Sequence, residues 1–238
     1  MTALVDRTGT PVSERDQPSA TPWLRNSKLA AACFGIFAVL LLAQSLTGWK
    51  ERNNDAVTHH GAQISYGEYL TTGHFYEATF ENWESEFLQM AAFVVLTVFL
   101  VQKGSAESKR PDGDDVDEDP ARHRGDPDVP WPVRRGGVWL ALYRNSLLIA
   151  FLVLFLGSML GHAIGGTAEY NAEQVEHDEP QVSLVEYARS SEFWFQSFQN
   201  WQSEFLAVGS IVVLTIFLRQ QGSSESKPVH APHDQTGD

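Results

Sequence analysis

The sequence predicts an all-α membrane protein with four transmembrane helices, arranged as two parallel two-helix repeats with short interfacial helices in the outer loops. Three observations lead to this fold class. The apolar residues are concentrated in a few segments, although the mean hydropathy of the whole chain is only −0.22. The two longest segments contain no Asp, Glu, Lys or Arg, and the two halves of the chain repeat each other.

The two longest apolar segments lie at 29–46 and 147–164, and each has 18 residues. Uncharged segments of this length are typical of transmembrane helices. The first could instead be a cleaved signal peptide. However, a hydrophilic tail of 28 residues precedes it and no Ala-x-Ala site follows it, which favours a retained helix.

Two shorter apolar segments, at 87–101 and 205–218, could also be buried helices of a soluble protein. Each follows a long segment at the same place in its half of the chain. Each also has a tryptophan just outside it, Trp83 or Trp201, where the aromatic belt of a membrane protein lies. We therefore predict that both segments span the membrane and that the two tryptophans anchor them at its surface.

The distribution of lysine and arginine predicts the orientation. The N-terminal tail has four such residues and the central linker has eight, whereas the first and third loops have two and one. Because positive charge is retained on the cytoplasmic side, both termini and the linker should be cytoplasmic. The segments 47–86 and 165–204 should then face outward, in a multi-pass protein of the plasma membrane.

The internal repeat is clearest where 82–109 recurs at 200–227, with 18 of 28 positions identical. Each repeat has an even number of spans, so the two copies enter the membrane in the same direction. Polar, Pro-rich and Asp-rich segments outside the repeats predict disorder. The predicted layout is a disordered cytoplasmic tail at 1–23, the first repeat at 24–108, a disordered acidic linker at 109–138, the second repeat at 139–227 and a disordered cytoplasmic tail at 228–238.

Each outer loop contains a capping box of the form Ser-x-x-Glu, at Ser65 with Glu68 and at Ser183 with Glu186. This pattern opens a helix, because the two side chains satisfy backbone amides at its first turn. Aromatic residues follow in both loops. Two interpretations fit this pattern. Each loop contains either a short helix with its aromatic side toward lipid, or a loop that packs on the ends of the membrane helices.

The motif Asn-Trp-x-Ser-Glu-Phe occurs once in each repeat and supplies the candidate polar site. Helical periodicity places Asn82 on one face with Glu86, and Asn200 on one face with Glu204, about one turn inside the outer boundary. A paired acidic site there could bind a cation or relay a proton, and His162 could join it. The alternative is that each glutamate only caps or charges the N-terminus of a helix.

Glycines recur every four residues in the third apolar segment, at Gly157, Gly161 and Gly165. Small residues at this spacing allow a neighbouring helix to approach closely. We therefore predict a helix-packing face here. The alternative is that these glycines have no packing role, since glycine is common in membrane helices.

Composition and motifs exclude several functions. The net charge of −13, from 17 basic and 30 acidic residues, argues against nucleic acid as a partner. The chain has no Walker loop, nucleophile elbow, CxxC or HExxH motif, and its eight histidines are scattered. The sequence therefore predicts a non-enzymatic protein with no cofactor and no metal site.

Four segments together resemble an uncharacterised bacterial membrane protein family, known only as a domain of unknown function, over residues 24–230. They are GHFYEATFENWESEFLQM at 73–90, GSAESK at 104–109, PWPVRRGG at 130–137 and FQNWQSEFLAV at 198–208. The resemblance implies a bacterial inner-membrane location and supplies no activity. The residues themselves favour an accessory or assembly component, whose partners are the lipid bilayer and another membrane protein or a second copy. The alternative is a small cation or proton permease that uses the paired glutamates.

Overall fold

Helices form all of the regular structure in the computed structural model, which describes residues 27–58, 61–113 and 115–237. The predicted tail at 1–23 lies outside these residues. In chain order the helices are α1 (Lys28–Thr58), α2 (Tyr66–Tyr69), α3 (Gly73–Phe99), α4 (Trp131–Arg135), α5 (Gly137–Arg144), α6 (Ser146–Glu176), α7 (Leu184–Tyr187) and α8 (Ser191–Phe217). Short 3₁₀ turns at Asp115–Asp117 and Pro120–His123 lie in the linker.

Three of the long helices, α1, α6 and α8, are long and apolar enough to cross a membrane. Helix α3 has 27 residues, as many as α8, but it does not meet the same criterion. Its first half carries four glutamates, which lower its apolar character: Glu77, Glu81, Glu84 and Glu86. Three of the four predicted spans are therefore helices that are long and apolar enough to cross a membrane. The fourth, α3, is a long helix with a polar first half and an apolar second half.

The chain divides into two units, Met1–Tyr66 and Gly67–Asp238. In the first unit, the segment after α1 returns along the second half of that helix. Trp49 Nε1 and Asn53 Nδ2 both donate to the carbonyl oxygen of Ile64, at 2.8 and 3.0 Å. A hydrogen bond of 2.8 Å between the hydroxyls of Ser45 and Tyr66 extends this attachment.

In the second unit, α3 packs mainly along α6 and, less extensively, against α8. Glycines of α6 make the close approach possible. A Cβ atom on Gly161 would lie 2.7 Å from the ring of Phe80, and one on Gly165 would lie 2.5 Å from the amide nitrogen of Glu77. Gly157 has open space beside it, so it takes no part in this contact.

Helix lengths and starting points correspond between the two halves of the chain. Helices α1 and α6 each have 31 residues, and α3 and α8 each have 27. Each helix of the second half begins 118 residues after its counterpart, since Lys28 corresponds to Ser146 and Gly73 to Ser191. The order of long helix, short helix and long helix is therefore the same in both halves.

Beyond α3 and α8 the chain makes the same turn twice. The amide of Gln102 donates to Ser108 Oγ, and the amide of Gln220 donates to Ser226 Oγ, both at 2.9 Å. Lys227 is 1% exposed, and its buried ammonium donates to the backbone carbonyls of residues 104, 232, 233 and 235. The described part of the C-terminal segment therefore lies against the turn that follows α3.

Candidate functional site

A buried polar site joins the helices of the second unit near its loop end, which we define as the end where α6 stops and α3 and α8 start. Its centre is a contact between Glu84 of α3 and His162 of α6, whose Oε2 and Nδ1 atoms are 3.1 Å apart. Both side chains are fully buried. Ionisable groups are costly to bury and are found paired when they are buried. Two fully buried ionisable side chains in contact therefore mark this position as the centre of the site.

The second carboxylate oxygen of Glu84 binds two donors from α8. Ser197 Oγ donates to Oε1 at 2.6 Å, and Trp201 Nε1 donates to the same oxygen at 3.2 Å. Ser197 is also fully buried. One carboxylate thus connects three helices, because its two oxygens bind side chains of α6 and α8.

The imidazole of His162 is fixed on its other side by α8. Its Nε2 atom lies 3.1 Å from Gln196 Oε1. Its ring stacks on Phe193, with centroids 4.6 Å apart and an angle of 28° between the planes. Phe193 is 1% exposed, so the ring is covered by packed protein.

A further layer of hydrogen bonds leads from Gln196 toward the loop end. Gln196 Nε2 donates to Glu77 Oε1 at 2.8 Å, and the hydroxyl of Tyr187 donates to the same oxygen at 2.9 Å. Tyr187 lies on the short helix α7 and is 1% exposed. Burial raises the pKa of its hydroxyl, and the charge of Glu77 raises it further, so this tyrosine stays protonated and acts as a donor.

The local structure that presents Tyr187 is set by the predicted capping box at Ser183, which is confirmed. Ser183 Oγ accepts from the amide of Glu186, and Glu186 Oε2 accepts from the amide of Ser183 at 2.7 Å. The hydrogen bonds from the Ser183 backbone and side chain lower the pKa of the Glu186 carboxyl.

Helix geometry explains why these side chains converge. Thr72 and Ser190 cap the N-termini of α3 and α8 and fix where each helix begins. Glu77, Glu81 and Glu84 are spaced by four and three residues, so they share one face of α3. The glycines at 161 and 165 bring this face close to α6.

Of the predicted polar residues, His162 lies at the Glu84 contact and the others do not. Glu86 is exposed and Glu204 is half-buried, and their carboxylates interact electrostatically with each other. Asn82 and Asn200 donate to backbone carbonyls one turn earlier in their own helices, and the side chain of Asn200 also forms a hydrogen bond with Glu81 of α3. His162 contacts Glu84 and not Glu86, because two residues along a helix correspond to a rotation of roughly 200°.

The two predicted anchor tryptophans have different surroundings. Trp83 packs edge-to-face on Phe80, with ring centroids 5.2 Å apart. Trp201 packs on Phe155 and donates to Glu84, so it belongs to the buried site. In the described residues, no group of three or more His, Cys, Asp or Glu side chains has a geometry that could hold a metal ion.

The sequence alone did not point to Glu84, because the candidate polar site was predicted from residues that both repeats share. Glu84 corresponds to Gln202 in the second copy, so it does not belong to that shared set. Two signals in the sequence could have found it: the spacing of Glu77, Glu81 and Glu84, and the difference between the copies at this one position of the motif.

Three comparisons with known proteins were informative to different degrees. A family model described as Domain of unknown function (DUF6766) matches residues 20–238. No curated protein and no solved structure matches the chain.

Proposed function

The chain belongs to the family of Domain of unknown function DUF6766, and we propose that it is a non-enzymatic accessory or assembly component of the bacterial plasma membrane. In this proposal it has four spans, both termini lie in the cytoplasm and its loops face outward. The observation that carries the proposal is the complete burial of Glu84 and His162. Neither side chain can touch a solute unless the helices separate, so the site serves to hold helices together.

The surroundings of α3 support its assignment as the fourth span. The polar residues that lower its apolar character include Glu77 and Glu84, and both bind side chains of other helices. A carboxylate at membrane depth is tolerated when it faces protein. The remaining part of α3, from 87 to 99, is predominantly apolar and suits contact with lipid.

A proton permease is the second candidate, because the carboxylates of Glu77 and Glu81 lie near the buried histidine. Transport would require the site to open toward both sides of the membrane. The interlocking hydrogen bonds of Glu84 favour a static role, since three donor groups would have to be released together.

A photo-crosslinking experiment tests the proposal. A photoreactive phenylalanine analogue is placed at Phe195, which is 68% exposed at the loop end of α8, or at Phe193, which is 1% exposed. An accessory role predicts one stoichiometric crosslinked membrane protein from position 195 and none from position 193. Purified protein in liposomes should carry no proton flux. Proton flux by the isolated protein, with no crosslinked partner, would support the permease instead.

A further inference from the structure

The hydrogen bonds around Gln196 fix the orientation of its amide. Its Nε2 atom lies 2.8 Å from a carboxylate oxygen of Glu77, which can only accept when ionised. The amide nitrogen must therefore point toward Glu77. Gln196 Oε1 then faces the Tyr187 hydroxyl and His162 Nε2, both at 3.1 Å. Because a carbonyl oxygen only accepts, His162 Nε2 carries a hydrogen.

The other nitrogen of His162 faces Glu84 Oε2 at 3.1 Å. If His162 were neutral and Glu84 ionised, two lone pairs would face each other across this contact. In addition, Glu84 Oε1 already accepts from Ser197 and Trp201, and two such donors favour the ionised carboxylate. The contact is therefore complete only when one proton lies between the two atoms, and the two donors on Oε1 favour its position on His162 Nδ1.

We propose that Glu84 and His162 form a buried proton-binding site, in which one proton lies between His162 Nδ1 and Glu84 Oε2 and exchanges with water at the loop end. With this proton bound, His162 is an imidazolium that donates to Glu84 on one side and to Gln196 on the other. The site binds a proton and transfers no other group. This inference does not depend on whether the protein has an accessory role.

The electrostatic surroundings favour a bound proton. Acidic side chains of α3, α6 and α8 and one tyrosine of α7 are the titratable groups around the site: Glu77, Glu81, Glu169, Glu173, Glu192 and Tyr187. Opposite charges near a cationic group favour its charged form. In the described residues, His162 is the only group within hydrogen-bond distance of Glu84 that can carry a positive charge.

The hydrogen-bonded groups beyond His162 become more exposed toward the loop end. Glu77, which binds Gln196, is half-buried, and Glu192, whose charge acts on it, is exposed. Release of the proton would leave two lone pairs facing each other between α3 and α6. The hydrogen bonds that join these helices to α8 should then loosen, so proton release should change the packing of the loop end.

Nitrogen-15 NMR of the full-length protein, labelled at histidine and held in lipid nanodiscs, tests the proposal. The His162 signal is assigned in a second, uniformly labelled sample of the unmodified protein, through its backbone correlations to Gly161 and Ala163. At a pH of about 7.5 exposed histidines are neutral, and the proposal expects His162 to show two protonated ring nitrogens. A neutral His162 at this pH, together with an ionised Glu84 carboxylate band in the infrared spectrum, would overturn it.

Two variants locate the proton at the pair. Glu84→Gln removes the anion and should convert the His162 signal to a neutral imidazole at the same pH. Glu204→Gln is the matched control, because Glu204 is a glutamate of α8 outside the network, and it should leave the doubly protonated signal unchanged. A doubly protonated His162 that persists in folded Glu84→Gln would contradict the proposal. The NMR measurement on the unmodified protein tests the proposal without the variants. If a variant misfolds, the protonation state of His162 in the unmodified protein still decides the outcome.

Discussion

Asn171 and Val182 are joined by two hydrogen bonds, from Asn171 Nδ2 to the carbonyl oxygen of Val182 at 2.9 Å and from the amide of Val182 to Asn171 Oδ1 at 2.8 Å. Asn53 and Ile64 make the same pair of bonds at 3.0 and 2.8 Å. One asparagine thus attaches the segment after each 31-residue helix to that helix. This shared contact extends the sequence repeat to the loops, where few residues are identical.

Replacing either asparagine should release its loop. Asn53→Ala leaves the amide of Ile64 without its partner, and loss of a partner for a buried polar group costs about 1–3 kcal/mol. We expect faster proteolysis of the loop and a lower unfolding temperature. Asn54→Ala is the control, because Asn54 is exposed. Equal effects of the two substitutions would show that Asn53 does not anchor the loop.

Leucine substitutions at two glycines of α6 should show whether close helix packing, and not merely the presence of glycine, is needed for stability. Gly161→Leu places a side chain against the Phe80 ring, and overpacking of this kind costs about 1–3 kcal/mol. Gly157→Leu adds the same side chain where nothing lies within 4 Å. The unfolding temperature in detergent should fall for the first variant and stay unchanged for the second. If both variants behaved alike, α3 would not pack on this face of α6.

The cap of α7 should depend on pH. Because the pKa of Glu186 is lowered in the folded protein, its stabilising effect is present above the ordinary carboxyl pKa and is lost as the pH falls through the folded value. The protection factor of the Ser183 amide in hydrogen exchange, which corrects for the intrinsic effect of pH on the exchange rate, should be high at neutral pH and lower in acid. Glu186→Gln should remove this pH dependence, whereas exposed Glu176→Gln should preserve it. An unchanged profile in Glu186→Gln would contradict the role of this cap.

Much of the fold follows from the sequence. The charge-free segments predicted two of the long helices, and the repeat predicted that α3 and α8 would correspond in position. The helical bounds extend well beyond the apolar segments, however. Helix α6 continues to Glu176, twelve residues past the end of its apolar segment at 164, because its later residues pack on other protein elements. The apolar segments of the sequence indicate which part of a helix suits lipid, but they do not indicate how far the helix continues in contact with protein.

The site was only partly predictable. His162 stood out as the one ionisable residue of its apolar segment. Its partner could not be chosen from the motif, because Glu84 and Glu86 lie two residues apart and point to different sides of α3. The choice depends on which face of α3 meets α6, and that is decided by the close contacts of Gly161 and Gly165. Those contacts are a property of the assembled helices.

The proposed topology predicts the location of reporter proteins. Fusions after Gly113 and at the C-terminus should report the cytoplasm, and an insertion at Thr58 should report the outside, because lysine and arginine are concentrated in the tails and linker. Enzymatic reporters that are active on only one side of the membrane provide the measurement. A cytoplasmic signal at Thr58 would contradict the four-span topology.

The most direct test of the account is a double-mutant cycle on Glu84 and His162, measured as the free energy of unfolding in detergent. Glu84→Gln and His162→Gln should each cost roughly 3–5 kcal/mol, because each leaves a buried partner uncompensated. The double variant should cost little more than either single change, and Glu204→Gln should stay within about 0.5 kcal/mol of the unmodified protein. Additive effects of the two substitutions would contradict the claim that this pair holds the three helices together.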